Sequence, residues 1–301
     1  MPIKVGTASW TDPTLIKSKR FYPPGCSSAE ARLRYYSSVF PMVEVDSSYY
    51  AMPNGANSVL WVDRTPADFT FNIKAFRLMT GHQTGRDMFP KDMQPALPDN
   101  GKKNLYYKDL PPDIRHEIWR RYLEAIDPLR LGGKLGAVHF QFAPWIVNNP
   151  EGREHVEHCA DLMQGYTVAA EFRHRSWFAD EQRTQATLDF KRALGLVNVT
   201  VDEPQGAANS IPSVWEPTNA ELAIVRLHGR NHETWNIQGA TAASSRFNYD
   251  YNDDELGGLA SQIYEISRTV AMTHVVFNNN YEDQGQRNAL SLMGMLESMS
   301  G

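Results

Sequence analysis

Six pairs of polar side chains in this chain stand two residues apart. They are Glu44 and Asp46, Asn72 and Lys74, His139 and Gln141, Glu171 and Arg173, Thr200 and Asp202, and Arg226 and His228. Carboxylates, amines and imidazoles whose pKa values are shifted by their surroundings are what general acid–base chemistry requires. Glu171, Asp202, Glu44 and His228 are therefore the proton-handling candidates. Lys74, Arg173 and Arg226 are the matching ligands for an anion, because paired cationic donors bind phosphate or carboxylate. Gln141, Asp46, Tyr49, Trp10, Trp177, Asn278 and Asn279 fall at comparable positions and complete the expected substrate-binding set. A Schiff-base role for Lys74 is the weaker reading, since neighbouring carboxylates favour its ammonium form.

Most of these residues follow or end a short apolar run. Eight such runs are legible, at 3–8, 42–45, 69–73, 136–140, 168–170, 196–201, 224–227 and 274–277. Helical patterns alternate with them, at 29–39, 55–63, 111–129, 151–163, 180–193, 253–271 and 285–298. Ser27 or Ser28 can cap the first, Pro111 and Pro112 open the third, and Asp253, Asp254 and Glu255 suit the positive end of the sixth. Eight strand–helix units predict one α/β domain over 1–301, a (β/α)8 TIM barrel whose active site lies where the strands end. An open doubly wound sheet is the rival, but no glycine-rich phosphate loop follows the first strand.

Strand side chains alternate between two faces. Val43 and Val45, Phe71 and Ile73, Val138 and Phe140, Val199 and Val201, and Val225 and Leu227 suit packing against helices. The polar phase, Thr200 and Asp202 included, is then expected to face the barrel interior, where buried charges must be paired. Residues 77–111 have many glycines and prolines and little periodicity, so they read as a lid or a packed excursion after strand three. Residues 229–252 form a second long loop, and 203–221 lack a convincing helix.

The net charge of −5 provides no broad basic field, so nucleic acid is not a favoured partner. Two cysteines, Cys26 and Cys159, make neither a disulfide framework nor a thiolate metal site and read as inert. No apolar run of about 18 residues is present, so no membrane span is expected. The first strand begins at Ile3, which leaves no room for a signal peptide, and a cytoplasmic protein is expected. No cofactor is expected. The alternative is a divalent metal held by Glu44, Asp46, His139, Glu171, Asp202 and His228, but no local ligand motif supports it. Trp10, Tyr49, Trp145, Trp177 and Trp235 could stack on a sugar or a base, although scattered tryptophans more often anchor loops. The run Asn278-Asn279-Asn280 can bond hydroxyls or tie down the last barrel turn.

Several segments resemble the domain-of-unknown-function family 72, the YecE-like proteins. They are Gly6-Thr7-Ala8-Ser9-Trp10 with Phe21-Tyr22-Pro23, Val43-Glu44-Val45-Asp46-Ser47-Ser48-Tyr49-Tyr50, and Glu171-Phe172-Arg173-His174 with Ser176-Trp177. Arg226-Leu227-His228-Gly229-Arg230 and Phe277-Asn278-Asn279 complete the series. The resemblance covers essentially the whole chain. It implies a TIM barrel and supplies no reaction. Departures are small: Ala8-Ser9 where the family often has Ser-Gly, Asp46 where it often has Asn, and Ala143 where Pro is common.

The residues themselves point to an enzyme acting on a small polar anionic substrate, a hydrolase, isomerase or lyase. A non-catalytic ligand-binding protein, or a metal-dependent phosphodiesterase or nuclease-like barrel, is the alternative. The oligomeric state stays open.

Overall fold

A computed structural model describes residues 2–206, 209–235 and 243–300. Eight parallel strands close into a barrel: β1 (Ile3–Ala8), β2 (Met42–Val45), β3 (Thr70–Lys74), β4 (Leu135–Gln141), β5 (Val168–Glu171), β6 (Val197–Asp202), β7 (Leu222–Leu227) and β8 (Met272–Phe277). Each strand pairs with its sequence neighbours, and β8 pairs with β1 to close the ring. The fold is the expected TIM barrel.

The helices are α1 (Pro13–Ser18), α2 (Ala29–Val39), α3 (Ser47–Tyr50), α4 (Gly55–Asp63), α5 (Pro112–Leu131), α6 (Pro150–Leu162), α7 (Glu181–Ala193), α8 (Asp253–Ser267) and α9 (Gln284–Ser300). Local chemistry sets their starts. Ser28, rather than Ser27, caps α2 by accepting the Ala31 N–H at 3.0 Å. Asn252 and Glu255 form a reciprocal capping box on α8. Short α1 and α3 were not legible in the periodicity; α1 is fixed by Asp12, which accepts from Thr14 N at 2.8 Å.

The main core lies between the outer faces of the strands and the helices. Val43, Val45, Phe71, Ile73, Val138, Phe140, Val225 and Leu227 are all buried there, against residues such as Ile118, Tyr122 and Ile126 of α5. The excursion after β3 is packed rather than open. A two-residue antiparallel ladder joins Thr84–Gly85 to Asn104–Leu105, and Leu78, Phe89, Met93, Leu97 and Leu105 are buried beneath it.

One expectation fails. On β6 the valines face inward and the polar residues outward. Val197 pairs in register with Ala169, which is two residues from Glu171, and Val201 pairs with Arg226. The cause lies in the degenerate unit: no helix stands between β6 and β7 among the described residues. The irregular backbone of 209–221 covers this strand instead, and its carbonyls need donors. Thr200 Oγ1 donates to Val214 O at 2.8 Å, while Asn198 Nδ2 donates to Val214 O and Glu216 O. Thr200 and Asp202 therefore do not face the lumen.

Candidate active site at the barrel mouth

Apart from β6, the expected inward phase brings its charges together. Arg226 of β7 reaches across the barrel, with Nη2 2.7 Å from Glu44 Oε1 and Nη1 2.8 Å from Glu171 Oε2. His139 of β4 sits between the same carboxylates, its Nδ1 3.1 Å from Glu44 and its Nε2 3.2 Å from Glu171. All four side chains are essentially fully buried. Burial alone would raise both glutamates, but Arg226 and His139 outweigh it and hold both carboxyls well below the usual range. Glu44 and Glu171 are therefore fixed anions that the lattice keeps ionised. Arg226 is committed to them and lies beneath the mouth, not in it.

Above this lattice opens a cavity of about 650 Å³. Lys74, Asp46, Tyr49, Gln141, Arg173, His228 and Asn278 line it, so seven of the expected residues share one mouth. Lys74 Nζ is 3.1 Å from Asp46, at the ends of neighbouring strands β3 and β2. Burial raises the Asp46 pKa despite Lys74. Arg173 bridges downward to Glu171 at 3.3 Å and sideways to Glu203 at 2.7 Å. Burial likewise raises Glu203 against the pull of Arg173. His228 has Nδ1 2.7 Å from the Asn278 amide and Nε2 3.4 Å from Arg226 Nη1. Burial and the Arg226 cation hold its pKa well below that of free histidine, so it is neutral at pH 7. Phe247 stacks on its ring at 5.7 Å.

The remaining expected residues lie elsewhere. Asp202 is held outside the lumen by Arg230 (2.8 Å) and by the Tyr251 hydroxyl, which donates to it at 2.6 Å. Trp10 packs edge-on against Trp61 and Phe71 on the outer face. Trp177 stacks on Phe172 with centroids 4.0 Å apart and donates to Ile146 O. Asn279 Nδ2 donates to Tyr249 O and Asn288 Oδ1, which secures the loop rather than the cavity. Sequence reasoning missed three residues near the mouth. Glu203 takes the inward place expected of Asp202, one position on. His82 comes from the packed excursion, and burial lowers its pKa to about 4. Arg246 comes from the second long loop, which carried no periodic signal; the described parts of that loop also bring Trp235 and Phe247 to the cavity.

Arg246 is unusual among the mouth cations. Its guanidinium lies 4.3 Å from the Trp235 ring centroid, with Arg173 5.9 Å from the same ring. It makes no ion pair among the described residues, and burial and Arg173 together lower its pKa. Among the described residues, no group of three His, Cys, Asp or Glu side chains is arranged to hold a metal ion. No helix there is long and apolar enough to cross a membrane.

A closed eight-stranded barrel with a charged lumen and a polar mouth defines the class as a TIM barrel. Residues 4–300 match the family described as Protein of unknown function DUF72, and the chain belongs to that family. It is 32% identical over 297 residues to the UPF0759 protein YunF of Bacillus subtilis (strain 168), covering 98% of this chain and 95% of that protein. The crystal structure of the DUF72 family protein TM1631 from Thermotoga maritima is similar at TM-score 0.76 and 29% identity, covering 99% of this chain and all of that one. That of EF0366 from Enterococcus faecalis has TM-score 0.79 at 25% identity, over 98% of this chain and 95% of that one.

Proposed function

We propose that the protein is an enzyme that binds a small polar anion, a phosphate or carboxylate group, at the barrel mouth and moves a proton on the molecule that carries it. The observation behind this reading is the convergence of Lys74, Arg173 and Arg246 on one cavity, with Arg246 making no ion pair among the described residues and feeling Glu203 only at longer range. A crowded cation in a partly dry cleft is stabilised by an anionic ligand. Asp46, which lines the mouth, and Glu203, buried behind Arg173, have raised pKa values and are the proton-handling pair, with Asp46 the one that meets the substrate. Neutral His228 supplies a polar contact, and Gln141 and Asn278 supply amides for hydroxyl or carbonyl groups. Glu44 and Glu171 act from below by fixing Arg226 and Arg173.

Calorimetric titration with inorganic phosphate tests the anion site. Lys74→Met and Arg246→Met should each weaken binding about tenfold, the scale of one charge-assisted contact. Lack of phosphate-dependent stabilisation in the wild-type protein, or an unchanged affinity in both variants, refutes it. Once a turned-over substrate is found among phosphate esters and hydroxy acids, Asp46→Asn should abolish turnover and leave affinity within about threefold. Full activity in that variant would favour a different proton carrier.

A further inference from the structure

Beside the mouth lies a second cavity, of about 360 Å³, which falls within the usual ~300–1,000 Å³ of small-molecule sites. Its wall is Trp145, nearly half exposed at 47%. Single exposed apolar side chains are common, so the fixed position of this one beside a cavity matters more than its exposure. This one cannot turn away, because its Nε1–H donates to Gly81 O at 2.8 Å. Gly81 has φ +82°, and a Cβ there would come 2.8 Å from Ile146 Cδ1, so glycine is required where the tryptophan is anchored. His82 and Tyr106 meet the indole at steep angles, 69° and 79°, so neither ring lies parallel to it. Lys108, Asn149 and Glu151 stand around the cavity, exposed to solvent.

The two cavities share a partition. His82 lines the mouth and touches the Trp145 ring at 5.7 Å, and Pro144, the residue before Trp145, also lines the mouth. We infer that Trp145 is the platform of a second subsite, which takes a neutral hydroxylated ring joined to the anion-bearing unit held in the mouth. The substrate class is then an anionic saccharide of at least two rings. A half-exposed indole with no ring parallel to it suits the C–H face of a pyranose, and a carboxylate, an amide and an ammonium around it suit its hydroxyls. The inference extends the anion reading of the mouth, but the ring site stands on its own geometry.

Three probes separate the two. In titrations of the full-length protein, trehalose 6-phosphate (two rings, one phosphate) should bind about tenfold tighter than glucose 6-phosphate (one ring), as expected for one added stacking contact. Trp145→Ala should erase that advantage without changing glucose 6-phosphate affinity, and Trp145→Phe should retain part of it. Neutral trehalose should bind weakly, be lost in Trp145→Ala and be indifferent to Lys74→Met. Trehalose binding through Trp145 without any phosphosugar preference supports the subsite and sinks the anion reading. Glucose 6-phosphate binding that depends on Lys74, with no second-ring advantage, sinks the subsite alone. Failure of all three probes to bind overturns both.

Discussion

Replacing Arg226 by methionine should be the most damaging single change in the barrel. The guanidinium is fully buried and bonds two fully buried carboxylates, at 2.7 and 2.8 Å. Its removal leaves Glu44 with His139 as its one ion-pair partner among the described residues, and Glu171 with His139 and Arg173. Removing one partner of a buried pair costs about 3–5 kcal/mol, because a charge is left desolvated without compensation. Over a chain of this size that is a fall of about 5–8 °C in Tm. The loss should grow with pH. In the wild type both glutamates have depressed pKa values, so their stabilisation is present above the unfolded value of about 4.3 and is lost as pH falls through the lower folded values. Without Arg226, burial dominates at Glu44 and its carboxyl prefers its proton, while Arg173 still opposes burial at Glu171. The Glu44 contribution is then kept in acid and lost as pH rises through its raised value. Urea unfolding at pH 5, 6.5 and 8 measures both effects. Glu44→Gln and Glu171→Gln, added to Arg226→Met, should recover most of the loss, since no buried charge remains unpaired. A single-variant loss under about 1 kcal/mol, or one independent of pH, would refute the account of the lumen as a tightly paired lattice.

Other perturbations test separate parts of the molecule. Asp202→Asn weakens the contacts to Arg230 and Tyr251 and should cost about 1–3 kcal/mol while leaving phosphate affinity unchanged; an affinity loss matching that of Lys74→Met would return Asp202 to the site. Lys191 is fully buried, donates to Ala170 O and Asn198 Oδ1, and has its pKa lowered by burial to about 7. The folded chain thus disfavours its charged form, so stability should climb between pH 7 and about 10, and Lys191→Met should flatten that climb in urea titrations. Gly81→Ala forces a side chain into the left-handed region and against Ile146, at a cost of about 1–3 kcal/mol. Its near-ultraviolet dichroism should change as the strained turn shifts the carbonyl that anchors Trp145, and an unaltered spectrum would argue against that coupling.

Periodicity carried the architecture because each unit repeats the same compromise, an apolar outer face under a helix and a polar inner face. It failed at β6 because Val197-Asn198-Val199-Thr200-Val201-Asp202 alternates equally well in either phase. What decides the phase is the cover, and there an irregular segment with carbonyls to satisfy replaces a helix. Spacing also could not assign depth. Arg226 and His228 share a face, yet one is locked below the cavity and the other lines it. Arg246 lay beyond pattern reasoning altogether, since a long loop places its side chains by tertiary contact alone.

The lumen lattice also constrains the order in which the chain can become native. Glu44 and Arg226 are 182 residues apart, and Glu171 precedes Arg226 by 55. A nascent chain that has emerged only through β5 holds both acids and His139 but lacks the guanidinium that neutralises them. Closing those five strands into a dry half-barrel would bury the carboxylates without their cation. A dry half-barrel is therefore disfavoured before β7 arrives, and the lattice couples β2, β4, β5 and β7 energetically across the ring.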